Sequence, residues 1–220
     1  MKTATIGIAV VLIIGMAGCA SMSRQEKGAV IGAGSGAVIG GVIGNQAGST
    51  VVGAIIGAAV GGAAGAYIGN YMDNQAEEIE RDIAGAKVER IGEGIKITFD
   101  SGLLFDTDKA EIRPASRSSL VNLAEILNKY PDTRVLIEGH TDSTGPEDYN
   151  LALSRDRAYA VSLVLAGQGV DATRFTVLGY GEDQPLFDNA TDAGRQGNRR
   201  VDLAIMANDK LKKVAEEQAR

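Results

Sequence analysis

The chain has one cysteine, one histidine and no tryptophan in 220 residues, and only 5% of it is aromatic. A single cysteine cannot close an intrachain disulfide, so the fold does not depend on one. Zinc sites and Cys–His nucleophilic pairs draw on several such side chains brought together. With only Cys19 and His140 to supply them, no metal or cofactor is expected. Charge is missing in another way. From Gly28 to Met72, 45 residues include no Asp, Glu, Lys or Arg, and 14 of them are glycine, whereas a globular domain is about a quarter charged. From Asp73 to Arg220 there are 19 basic and 27 acidic residues, a net charge of −8. That balance opposes an electrostatic grip on phosphates, and no nucleic-acid partner is expected.

The N-terminus begins with Lys2, continues through the apolar run Ile6–Ile14 and ends in small residues before Cys19. This is the pattern of a secretory signal, with an apolar core too short to be a spanning helix. Met16-Ala17-Gly18-Cys19 resembles a bacterial lipobox. The resemblance implies a signal peptide over 1–18, a mature chain starting at Cys19 with diacylglyceryl and N-acyl groups, and a lipidated linker over 19–27. Ala20, where an inner-membrane retention signal has Asp, implies export to the outer membrane. Several acyl chains, at about 0.8 kcal/mol per buried methylene, give long-lived anchoring in outer-membrane lipid.

Glycines then recur every four residues. Gly28, Gly32, Gly36, Gly40, Gly44 and Gly48 form one ladder, and Gly53, Gly57, Gly61, Gly65 and Gly69 form a second after the polar turn Asn45–Thr50. This spacing lines small residues along one helix face, where another helix can approach backbone to backbone. The expectation for 28–72 is a glycine-zipper helical hairpin. Each arm of about 17 to 19 residues would be roughly 25 to 29 Å long, near an outer-membrane thickness. In water each glycine costs about 1 kcal/mol relative to alanine, whereas in lipid an unpaired backbone is worse. A soluble helical oligomer, with copies of the chain as partners, and an unordered segment are the alternatives. Tyr67 and Tyr71 fit an interfacial belt.

Residues 73–90 read as a polar linker helix and 208–220 as a charged tail. Between them, 91–207 has the texture of an α+β domain. Ile95, Ile97 and Phe99 alternate with Lys96 and Thr98, as in a half-buried strand. Pro114 opens a helix with Leu120, Leu123, Ala124 and Leu127 on one face, and Pro131 closes it. A strand at Val135–Glu138, a helix over about 147–166 and strands at Thr176–Leu178 and Val201–Ile205 complete a β-α-β-α-β-β order, two helices on one mixed sheet.

Four loop blocks carry the functional signal: Gly139–Gly145 (GHTDSTG), Asn150–Ala158 (NLALSRDRA), Gly179–Glu182 (GYGE) and Gly194–Val201 (GRQGNRRV). In this order and spacing, with Phe105-Asp106, they resemble the OmpA-like C-terminal domain of peptidoglycan-associated lipoproteins and flagellar-motor stators, over about residues 95–206. With lipobox and ladder, the whole resembles the glycine-zipper OmpA-like lipoproteins. The resemblance implies noncovalent binding of the peptidoglycan stem peptide through diaminopimelate. That side chain ends in an ammonium and a carboxylate on one carbon. Asp142 suits the ammonium and Arg157 the carboxylate, with its planar fork. Asn150, Ser154 and Arg157 lie at i, i+4 and i+7, on one helix face. By the family pattern Asp106, Thr141, Leu153 and Arg199 complete the pocket; Asp108 stands where some relatives have Asn.

Other readings attach to the same residues. His140 near Asp142 suggests a catalytic dyad, but no nucleophile accompanies it. Asp106-Thr107-Asp108 resembles the start of a calcium loop without its glycine and terminal glutamate. Arg200 and Asp202 read as solvated strand-face charges. A tether between outer membrane and cell wall is the leading function, without enzymatic activity. A cell-wall amidase, and a motor or secretion component using the domain as a static anchor, are the alternatives. A stator's membrane helix needs an acidic residue that 28–72 lacks.

Overall fold

A computed structural model describes residues 49–220. The expected signal peptide, Cys19, the expected lipidated linker and the first glycine arm lie outside the described residues.

The second arm is not one helix. Ser49 caps α1 (Thr50–Ala58), its hydroxyl accepting from the Val52 N–H at 3.4 Å; the chain then turns at Ala59–Gly61 and re-enters α2 (Gly62–Asp82). That second helix runs straight across the boundary drawn at Met72, so ladder and linker are one element. The hairpin β1 (Ala86–Ile91) and β2 (Gly94–Asp100) follows, then short α3 (Ser101–Leu104), α4 (Pro114–Lys129), β3 (Thr133–His140) and α5 (Glu147–Gly167). A 3₁₀ turn, β4 (Phe175–Gly179), α6 (Asp192–Asn198), β5 (Arg200–Ala207) and α7 (Asp209–Gln218) complete the chain.

The sheet has five strands in the order β1-β2-β5-β3-β4. β3 and β4 are parallel, joined by the α5 crossover, and the other neighbours are antiparallel. The β-α-β-α-β-β core is therefore present, extended by β1 at one edge and by α7 in place of a free tail. Alternation along the strands separates two faces. Ile95, Ile97, Phe99, Val135, Ile137, Leu203 and Ile205 point into the main core, which α2, α4, α5 and α7 cover. Leu136, Ala204 and Met206 point the other way, where α1 packs Val51, Ala54, Ile55 and Ala58 on them. The apolar residues that read as a membrane face thus lie on the sheet.

Three sequence expectations change for one reason: the segments flanking 91–207 belong to the fold. α2 contributes Ile68, Met72, Ala76 and Ile79 to the core, and α7 contributes Leu211 and Ala215. Arg200 and Asp202 are buried rather than solvated, because their face lies on the α1 side, and they pair at 2.9 Å. Fully burying one large aliphatic side chain is worth about 1.5–3 kcal/mol, so Ile68, Met72, Ile79 and Leu211 together rival the whole stability of a domain. A fragment cut at 91–207 is expected to lack the cooperative urea transition expected of 49–220.

Candidate functional site

The eight residues expected at the site, Asp106, Asp108, Thr141, Asp142, Asn150, Leu153, Arg157 and Arg199, line one cavity of about 460 Å³. Strand order explains the convergence. β2, β5 and β3 are neighbours, and at this end of the sheet Asp100 pairs with Arg200 and Arg200 with His140. The residue just before β5, Arg199, and the loop after β3, with Thr141 and Asp142, therefore emerge side by side. Ser101, Gly102, Phe105, Thr107, Thr144 and Arg195 complete the lining. Of these, Phe105, Thr144 and Arg195 stood inside recognised blocks, but nothing local in Ser101 or Gly102 singled them out.

α5 brings Arg157 to the cavity because two glycines let it lie directly on the strands. Gly139 and Gly179 are partners in the β3–β4 register. A Cβ on Gly139 would stand 1.9 Å from the Ser154 carbonyl oxygen, and one on Gly179 2.4 Å from the Arg155 nitrogen. Polar contacts then fix the loops to that helix. The Ser154 hydroxyl accepts from the Gly181 N–H at 2.8 Å. Asn150 Nδ2 lies 3.2 Å from the Asp142 carbonyl, 3.1 Å from that of Thr144 and 2.7 Å from Glu182 Oε2. Thr141 N–H donates to the Gly181 carbonyl at 2.8 Å. Asn150, Ser154 and Arg157 are all buried on this helix face.

Asp142 is 6% exposed. Burial by itself raises its carboxyl pKa, but the Thr144 N–H at 2.9 Å and the Arg199 guanidinium outweigh that and hold the group below the ordinary aspartate value. Arg199, with a side chain 41% exposed, is the looser member of that ion pair. Asp106 lies at the exposed rim, 3.2 Å from Lys109 and 3.6 Å from Arg113.

Arg157 differs from the half-buried Arg174 and the buried Arg200. Arg174 donates to the Thr133, Leu127 and Tyr130 carbonyls and to the Thr133 hydroxyl. Arg200 donates to Asp202 and to the Asn198 and Gln184 carbonyls. Arg157, 4% exposed, donates only through Nε, to the Lys109 carbonyl at 2.9 Å, and stacks over the Phe105 ring with 5.2 Å to its centroid. Among the described residues no carboxylate comes within ion-pair distance of it. Burial lowers its pKa, against the attraction of Asp108 and Asp142. A guanidinium stays charged under such a shift, so the cavity holds a cation whose two terminal nitrogens have no acceptor among the described residues.

His140 is not part of the lining. Its ring stacks on Tyr180 at 5.6 Å between centroids, and burial pushes its pKa down to about 4, against the pull of nearby Glu138. Among the described residues no group of three His, Cys, Asp or Glu side chains that could hold a metal ion occurs.

The OmpA family profile matches residues 104–199, and a YMGG-like Gly-zipper profile matches residues 1–73. The lipoprotein YiaD of Escherichia coli (strain K12) is 39% identical over 121 residues, 55% of this chain and 55% of that one. The outer-membrane lipoprotein YfiB of Pseudomonas aeruginosa is 38% identical over 115 residues, 52% of this chain and 68% of that one. The chain thus spans between about a half and two thirds of these relatives. Among solved structures, the cell wall anchor of the T6SS from Pseudomonas aeruginosa superposes with a TM-score of 0.54 at 29% identity, covering 64% of this chain and 97% of that one. With the blocks, the sheet order and a lipoprotein relative covered over two thirds of its length all agreeing, the chain belongs to the OmpA family.

Proposed function

We propose that the cavity binds the peptidoglycan stem peptide through the zwitterionic end of diaminopimelate, without turnover, and that the protein is an outer-membrane lipoprotein tethering that membrane to the cell wall. The observation that carries this reading is Arg157. A buried guanidinium with unused terminal nitrogens calls for a planar two-oxygen anion, which a carboxylate supplies. Asp142, an ionised carboxylate in the same cavity, suits an ammonium on the neighbouring carbon. Arg199 neutralises Asp142; in the proposed complex the ligand ammonium takes its place, and Arg199, already partly in solvent, swings outward.

Names among the relatives support the setting: one is an outer-membrane lipoprotein and one solved structure is a cell wall anchor. No described helix is long and apolar enough to cross a membrane, and in this reading attachment falls to acylated Cys19, facing the periplasm.

The test is calorimetric titration of the full chain with a soluble tripeptide ending in diaminopimelate, with mass spectrometry of the recovered ligand. Wild type is expected to bind and return the ligand intact; Asp142→Asn is expected to lose most of the affinity. Because the Asp142 carboxyl is held below its ordinary pKa, its charge is complete at neutral pH. Binding should fade only as pH drops past the normal aspartate range. Equal affinity in a folded Asp142→Asn would remove the site assignment, and cleaved ligand would make the protein an enzyme.

A further inference from the structure

We propose that α1 is a releasable strap, held on the sheet by long-range contacts, which leaves the sheet for a lipid surface and straightens with α2 into one helix. The elbow between them is not dictated by local sequence. No proline occurs from Ser49 to Asp82, and the four-residue glycine spacing passes through the break, from Gly53 and Gly57 to Gly61, Gly65 and Gly69. What bends the chain is held elsewhere. Gly61 and Gly62 adopt φ of 78° and 61°, a left-handed conformation that glycine enters and leaves at little cost. The Glu93 carboxylate, in the β1–β2 turn, accepts from the Val60 N–H at 2.8 Å and the Gly61 N–H at 2.7 Å, bracketing the break from outside. It also fills the place of the missing side chain at Gly65, whose Cβ would stand 2.2 Å from Glu93 Oε1.

The other fastening is Thr50, whose hydroxyl lies 2.6 Å from Glu138 Oε2 and 3.1 Å from Gln184 Oε1. From Thr50 to Gly61 the strap has no charged residue, and its outer side is apolar too: Ile56 is 61% exposed. A helix apolar all round is suited to burial on every side, and the sheet supplies only one. Lipid supplies the rest, which selects a bilayer as the competitor for α1. Straightened, Thr50–Asp82 would be a helix of about 50 Å at about 1.5 Å per residue. The device stands whether or not the cavity takes a stem peptide.

Spin labels at Ile56→Cys and Lys87→Cys, in the full chain with Cys19→Ser, read the strap directly by pulsed electron resonance. In buffer one short distance is expected. On phosphatidylethanolamine vesicles a second population about 10 Å or more longer should appear. Adding Glu93→Gln, a near-isosteric change at a half-buried residue, should enlarge it at least twofold. Circular dichroism and a retained urea midpoint show that the core is intact. One short distance in buffer, on vesicles and with Glu93→Gln alike would overturn the strap; a long population confined to Glu93→Gln would overturn lipid as the competitor.

Discussion

Arg157→Met is expected to abolish stem-peptide binding and leave the fold at least as stable as wild type. The two effects share one cause. Among the described residues the guanidinium is buried with a single carbonyl partner, an arrangement that penalises the folded state unless an anion pairs with it. Methionine fills similar volume without the charge, and such replacements of buried ionic groups are often neutral or stabilising by about 1–4 kcal/mol. The complex, however, loses its bidentate partner and leaves the ligand carboxylate desolvated. Breaking such a pair costs about 2–5 kcal/mol, or roughly 30-fold to several-thousand-fold in affinity. Arg157→Lys should also bind poorly, since an ammonium cannot reproduce the fork. Urea unfolding and calorimetry on the same preparations check both halves. A destabilised Arg157→Met with residual binding would mean that the guanidinium holds the fold rather than the ligand.

The second large effect is expected at Gly139. Its missing side chain is replaced by the backbone of α5, so Gly139→Ala places a methyl group 1.9 Å from the Ser154 carbonyl oxygen. Neither a strand in the middle of a ladder nor a helix packed on it can yield cheaply. Overpacking of this kind costs about 1–3 kcal/mol and at times more, and contact with rigid backbone places Gly139→Ala at the upper end. Any relief lifts α5, and with it Asn150, Ser154 and Arg157, so binding should fall beyond what unfolding explains. Gly167→Ala is the control: it lies at the end of the same helix with nothing within 4 Å of its Cβ. There alanine should stabilise by about 0.5–1 kcal/mol. An unshifted urea midpoint in Gly139→Ala would show that the close approach is not binding on the structure.

These two residues also show what the sequence discloses. The place of Arg157 at the cavity was legible because Asn150, Ser154 and Arg157 recur at helical spacing beside a recognisable loop block. Gly139 sat inside that block, but its role depends on a helix that arrives later in the chain. The strand β1 was hidden because Lys87, Glu89 and Arg90 make an edge strand as polar as a surface helix. Arg200 and Asp202 were misread because strand alternation predicts which residues share a face, not what covers it. The cover is α1, and its composition pointed toward lipid instead. Leu211 and Ala215 in α7 give a helical i, i+4 pair too sparse to stand out from Lys210, Lys212, Lys213, Glu216 and Glu217 around it.

The strand order sets a timetable for folding. β5, the last strand to be synthesised, lies between β2 and β3, and the hydrogen bond from Thr98 to Asp202 spans 104 residues. Until that strand arrives, the β1–β2 hairpin and the β3–β4 unit have no hydrogen-bonded strand between them, and each leaves one edge open. Contacts this distant are costly to close and form slowly. A nascent chain that stops short of Arg200 therefore has no continuous sheet to complete, however long it waits. If the N-terminus is the export signal that its sequence resembles, this delay would keep the polypeptide threadable until β5 has been made.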